Sequence, residues 1–161
     1  AQVLRDAYPY AFVEGAERYP GAPRLDLHEV GEQSFVVDSR YPSGASVRIV
    51  PIPAFHGELP ILGFRIGATA YLTDVSRIPD ASYDLVAGVD TLVISALRSE
   101  PHRTHFTFEQ AIEAAQRIGA RQTAFTHISH NASHAEIAAL TPTGIAPGYD
   151  GLVLTDNGGH C

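Results

Sequence analysis

Val47-Arg48-Ile49-Val50-Pro51-Ile52-Pro53-Ala54-Phe55 is an apolar run that ends on an imidazole, His56. The pattern recurs: Ala70-Tyr71-Leu72-Thr73 ends at Asp74, and Gln122-Thr123-Ala124-Phe125-Thr126 ends at His127. Runs of this composition and length read as strands. Strands that each hand over a metal-ligand type as they end deliver imidazoles and a carboxylate to one rim of a sheet. A divalent cation wants that donor set, converging from separate rigid elements. Each residue also has an ordinary reading: His56 as a turn histidine before Gly57, Asp74 as a helix cap before Val75, His127 as a polar strand end.

The flanking elements extend the picture. In the first strand, Ala45 to Pro53, Val47, Ile49 and Pro51 face one way and Arg48, Val50 and Ile52 the other, after a turn at Pro42-Ser43-Gly44. Ile61 to Ile66, Gly67-Ala68-Thr69 and Ala70 to Thr73 read as a hairpin with a short glycine turn. Leu92 to Ala96 reads as a buried strand, apolar except at Ser95. A helix is expected over Phe108 to Ile118, with Phe108, Ala111, Ile112, Ala115 and Ile118 on its apolar face, a capping box of Thr107 and Gln110, and a stop at Gly119. Ser133 and Glu136 mark another capping box, opening a short helix to Leu140, and Tyr149-Asp150-Gly151 turns into a last strand, Leu152 to Leu154.

Upstream, Gln2 to Val13 has helical spacing and stops at Gly15, but Pro9 requires a kink or two short turns. Tyr19-Pro20-Gly21-Ala22-Pro23 is a loop, and Leu25 with Leu27, then Ser34 to Val37, are strand candidates. No repeat or linker divides the chain, so one α/β unit over residues 1–161 is expected.

A chain of 161 residues with 45% hydrophobic content is long enough to bury a core. Its formal net charge of −7, with no lysine, offers no footprint for a polyanion, so nucleic acid is an unlikely partner. A lone cysteine, Cys161, makes no internal disulfide, and neither a membrane span nor a secretory signal is visible; the cytoplasm is the expected compartment.

The ordered series Gly63-Phe64-Arg65-Ile66, Leu72-Thr73-Asp74, Leu92-Val93-Ile94, Pro101-His102-Arg103-Thr104-His105-Phe106-Thr107 and Thr126-His127-Ile128-Ser129-His130 resembles the carboxy-terminal half of the metallo-β-lactamase fold hydrolases. It is most similar to the branch containing the phosphoribosyl 1,2-cyclic phosphate phosphodiesterases. The His-x-Thr segment, helix and Thr-His segment are also similar to the tRNA 3′-end-processing endonucleases. The resemblance covers about Val47 to Leu154. It implies half of an αββα sandwich and a phosphodiesterase acting on a small phosphodiester through hydroxide shared by two divalent metal ions, zinc or manganese, with iron also open. In that scheme His56 completes one metal's ligand set, Asp74 bridges both, and His127 binds the second. His105 lies near the scissile phosphate as a general acid or charge stabiliser, and Asp74 shares in the catalytic set.

The resemblance is incomplete. The family's upstream His-x-His-x-Asp-His motif is absent, as is an initiating methionine, so an incomplete domain lacking its amino-terminal half is expected. Ser95 stands where the cyclic phosphodiesterases place an aspartate. The isolated chain is expected to turn over little, and to self-associate or associate with the missing half. The alternatives are a non-catalytic half-fold that binds a partner through an open sheet edge or uncovered apolar face, and a mononuclear site of His56, Asp74 and His127 completed by His105 or His130. Arg98 and Arg103 flank the His105 loop and are either phosphate contacts or surface charge.

Overall fold

A computed structural model describes residues 1–13, 21–38, 44 and 46–155. It divides into two units, Ala1–Gly31 and Glu32–Cys161. The expected stops and turn residues at Gly15, Tyr19, Pro20, Pro42, Ser43 and Ala45, together with His160 and Cys161, lie outside the described residues.

In the first unit, Pro9 splits the helical stretch as its ring demands. Helix α1 (Gln2–Ala7) ends two residues before it, and a 3-10 turn, Pro9–Ala11, follows. The Leu25 N–H donates to the Ala11 carbonyl, the residues around Leu25 and Leu27 form no strand, and Leu25 is exposed. Apolar alternation without a strand to pair with does not make a ladder.

The second unit is built on a seven-stranded sheet whose spatial order follows the sequence: β1 (Phe35–Val37), β2 (Val47–His56), β3 (Leu59–Ile66), β4 (Thr69–Leu72), β5 (Thr91–Ser95), β6 (Gln122–Thr126) and β7 (Ile145–Pro147). The first four strands pair antiparallel, and β4 to β7 pair parallel. Parallel neighbours need crossovers, supplied by α2 (Asp80–Val86), α3 (Phe108–Ile118) and α4 (His134–Leu140). Two antiparallel steps restore strand direction, so β2 runs the same way as β4, β5 and β6. The carboxyl ends of these four strands share one rim.

Register decides which side chains meet the helices. Ile52 and Ala54 share a face with Ala70, Leu72, Leu92, Ile94 and Phe125, and this face joins Val86, Phe108, Ala111 and Ile137 in the main core. Phe108 stacks nearly parallel on Phe125, centroids 6.4 Å apart. The other face carries Val37, Val47, Ile66 and Tyr71, all at least 39% exposed.

Helix α3 begins and ends where the capping residues direct. Thr107 accepts from the Gln110 N–H while the Gln110 side chain accepts from the Thr107 N–H, and Gly119 takes the left-handed conformation. Ser133 and Glu136 do the same for α4. The last strand differs from expectation: Ile145–Pro147 pairs with β6, while Leu152 to Leu154 lies outside any strand. Thr123 N–H donates to Gly144 and Gly148 N–H to Phe125. With β7 on that edge, β6 has no free ladder for Leu152 to Leu154.

Candidate metal centre

His56 is the last residue of β2, Asp74 stands two residues past β4, and His127 immediately follows β6. All three therefore emerge at the shared rim. Asp74 and His127 both have φ of 57°, and they are the non-glycine residues with positive φ among those described. Left-handed backbone is unfavourable for residues bearing a Cβ and persists where the surroundings enforce it. Here Ser95, fully buried, accepts a hydrogen bond from the Val75 N–H through its hydroxyl, fixing the backbone just after Asp74. Ser95, the departure noted in the sequence, thus holds the chain beside the site. After His127, the Ser129 N–H donates to Leu97.

The His105 loop is drawn into the same place by backbone bonds. Leu97 N–H donates to Phe106, Phe106 N–H to Val75, and Phe108 N–H to Arg98. Gly57, at φ 63°, lets the loop approach: a Cβ there would stand 3.0 Å from Thr104 Cγ2. Ser76 ties the β2 turn to the segment after Asp74, accepting from Gly57 N–H and donating to Phe55 O.

Polar atoms converge as a result. The candidate ligand atoms of His56, Asp74 and His105 lie within 4.8 Å of one another. His127 Nε2 is 3.4 Å from Asp74 Oδ1, and Asp74 Oδ2 accepts from the Thr73 hydroxyl at 3.1 Å. The His105 ring sits 4.6 Å from the centroids of both His56 and His127. His56 Nδ1 is 2.9 Å from the Asp74 carbonyl oxygen. A carbonyl only accepts, so Nδ1 carries the proton and the Nε2 lone pair is left for a cation, the usual arrangement of a ligand histidine.

His105 Nδ1 is buried and has no hydrogen-bond partner among the described residues. Burial first, then repulsion from His127, His56 and His102, lowers the His105 pKa from its ordinary 6.5, while Asp74 opposes the shift. A neutral ring with an orphaned nitrogen, beside imidazole and carboxylate donors, suits a borderline divalent metal. Of the sequence trio, His56 and Asp74 share one cluster with His105, and His127 adjoins it through Asp74 and the His105 ring. His102, not singled out as a site residue by sequence, stacks on His105 at 4.9 Å. His130 is exposed, and among the described residues it belongs to no such cluster. Arg98 donates to the Glu100 and Pro101 carbonyls, so its guanidinium holds the loop.

Two clefts open nearby. One, of about 290 Å³, is lined by His127, Tyr149, Asp150, Leu152 and Leu154 over Val93 and Ala124. The other, of about 330 Å³, lies between α2 and α3 with Arg77 and Arg117 at its walls.

A profile described as Beta-lactamase superfamily domain matches residues 1–128. A Porphyromonas gingivalis (strain ATCC BAA-308 / W83) protein named octanoyltransferase is 37% identical over 152 residues, covering 92% of this chain and 29% of that protein. A solved diphosphatase from the PhnP family is 34% identical and superposes with a TM-score of 0.81, covering 98% of this chain and 55% of that one. The metallo-β-lactamase fold protein YhfI from Bacillus subtilis is 14% identical with a TM-score of 0.64, over 91% of this chain and 59% of its own. The short form of human tRNase Z is 19% identical at 0.54, over 88% and 54% respectively. The last two share the fold. The chain spans about half the length of these structures and under a third of the Porphyromonas relative.

Proposed function

The chain belongs to the Beta-lactamase superfamily domain family, and from that premise we propose that the protein is a metal-dependent hydrolase of phosphodiester or diphosphate bonds. Its mixed sheet with crossover helices is part of the metallo-β-lactamase fold. The observation that carries the proposal is the convergence of His56, Asp74, His105 and His127 on one rim, with a buried nitrogen of His105 left unpartnered. The similarity to a PhnP-family diphosphatase supports phosphorus chemistry over other hydrolysis on the same fold.

His56 would hold a metal through Nε2, oriented by its Nδ1–H bond to the Asp74 carbonyl. Asp74 has one oxygen toward His127 and the other accepting from Thr73, and would be the carboxylate shared by two ions. His127 would hold a second ion. Bound divalent metal, zinc or manganese, supplies Lewis acidity toward phosphoryl oxygens and a water activated at neutral pH. Burial and the neighbouring imidazoles lower the His105 pKa, which favours its unprotonated form. We assign His105 the proton transfer: it would take a proton from the attacking water and give that proton to the leaving oxygen as the P–O bond breaks. Among the described residues no helix is long and apolar enough to cross a membrane.

The test is metal content by elemental analysis of protein purified without chelator, followed by hydrolysis of cyclic and aryl phosphodiesters and of a diphosphate. Because the isolated chain is expected to turn over little, the assay is read on the full-length protein, and a metal-loaded full-length protein that cleaves none of these sinks the proposal. A second reading, a module that pairs through its uncovered sheet face with another copy or with a complementary half, is favoured by Val37, Ile66 and Tyr71 at 50%, 47% and 44% exposure on that face. It predicts a size that changes with concentration; a monomer throughout a wide dilution series would rule out self-pairing.

A further inference from the structure

Resting on the phosphoryl-transfer reading of the rim, we infer that His102 anchors an anionic oxygen of the substrate through its Nε2–H, outside the set of residues that hold metal. His102 is exposed, and an exposed loop histidine is ordinarily free to rotate in water. This one is held at three points. Just before it, the Arg98 guanidinium donates to the carbonyls of Glu100 and Pro101 at 3.3 and 3.2 Å, fixing the backbone that leads into the ring. On its inner side the ring stacks on His105, centroids 4.9 Å apart and planes 27° from parallel. Its Nδ1 lies 3.4 Å from the Thr104 backbone nitrogen and 3.3 Å from the Thr104 hydroxyl.

That last contact sets the chemistry. A backbone N–H can only donate, so His102 Nδ1 is the acceptor and carries no proton. The neutral ring is then the Nε2–H tautomer, and its remaining polar atom is a donor with no protein partner among the described residues. The ring it stacks on, His105, is itself 4.6 Å from His56 and His127, so the His102 ring stands one ring beyond the candidate metal-holding residues. A fixed, unspent N–H at that distance suits an acceptor oxygen of a group bound at the rim. Phosphate oxygens are the acceptors that the proposed chemistry brings there, and a preset donor gains more from them than one that must be ordered on binding.

Long-range proton–nitrogen spectra of histidine-labelled protein, taken at about pH 8 where imidazoles are neutral, read the tautomer directly. The expected result is His102 protonated at Nε2, with that resonance moving on titration with inorganic phosphate. His102→Phe keeps a ring against His105 without a donor. It should weaken phosphate binding about tenfold and raise KM for an aryl phosphodiester more than it lowers kcat, with metal content unchanged. His102→Gln, which restores an N–H, should recover part of the loss, and Thr104→Val should populate the other tautomer. A wild-type His102 protonated at Nδ1, or a His102→Phe variant that binds phosphate as well as wild type, overturns the inference. Phosphate held through His102 in a protein that cleaves no phosphodiester or diphosphate would leave this anchor standing and remove the proposed function instead.

Discussion

Gly63 lies on β3 where the sheet has no room for a side chain, and Gly63→Ala tests how tightly the fold sets the site. A Cβ at this position would overlap Leu72 Cδ2 and stand 2.8 Å from the Tyr71 carbonyl oxygen. Leu72 is fully buried in the core and Tyr71 O is backbone, so neither yields by a simple rotation. Overpacking of this kind costs about 1–3 kcal/mol. Replacing glycine returns about 0.4–1 kcal/mol by restricting the unfolded chain. The two ranges combine to a loss of up to about 2.6 kcal/mol, centred on about 1.3 kcal/mol, which lowers Tm by about 3–5 °C for a domain of this size. Urea titration and thermal melting measure it. Leu72→Ala removes the obstructing side-chain atoms but not the Tyr71 carbonyl, so the double variant should be more stable than the sum of the single losses by part of the Gly63→Ala loss. Leu72 leads through Thr73 into Asp74, so Gly63→Ala should also weaken metal binding. Ile137→Val, a core change of about 0.5–1.5 kcal/mol placed on α4, should leave metal binding alone. An unchanged melting point in Gly63→Ala, or strict additivity with Leu72→Ala, would refute the packing argument.

Three further outcomes are expected. Asp74→Asn and His127→Ala should each reduce bound metal per chain in elemental analysis, and full retention in His127→Ala would remove that residue from the site. Thr107→Ala, which loses the α3 cap two residues from His105, should cost about 1 kcal/mol in denaturant unfolding; a loss below a few tenths would mean that tertiary packing alone sets the helix start. The Glu136 carboxyl is held below its ordinary 4.5 by the Ser133 hydroxyl and then by its N–H. Its folded pKa is depressed, so the capping contribution is complete above 4.5 and is lost as pH falls below that value. Amide protection factors over His134–Leu140, taken relative to the intrinsic exchange rate at each pH, should fall in acid, and Glu136→Gln should blunt that change.

Strong local signals made much of the fold readable. The capping boxes at Thr107 and Ser133 placed α3 and α4, and glycine at Gly67 with apolar runs on either side marked the β3–β4 hairpin. The rim was readable because ligand types followed strand runs. Helix α2 was not, since Ser82 and Val86 supply its buried positions and Pro79 precedes it without a side-chain cap. Strand β7 was hidden because Pro142, Gly144 and Pro147 look like a loop, and a proline is tolerated only at such an edge. Leu152 to Leu154 alternates as a strand should but meets no free ladder. Ser95 looked like a substitution in a substrate-facing position, and only the fold reveals that its hydroxyl serves the Val75 backbone. His102 gave no sequence signal beyond its histidine neighbour, because stacking on His105 depends on how the loop closes.

The strained positions explain why the rim is built from strand ends. Asp74 and His127 each accept a left-handed backbone that costs about 1–2 kcal/mol for a residue with a Cβ. A glycine at either position would escape that cost but offer no ligand. The surroundings therefore have to over-determine both turns, and they do so from buried strands: Ser95 and Phe55 hold the chain after Asp74, while Leu97 holds it after His127. Each bend comes within two residues of a strand end, so the side chain is carried close to a rigid ladder. His105 lacks a strand end of its own and reaches the same point through Phe106, bonded on both sides to Val75 and Leu97. Backbone bonds from the parallel core thus fix the relative positions of carboxylate and imidazoles before any cation arrives, which is what rigid metal binding requires.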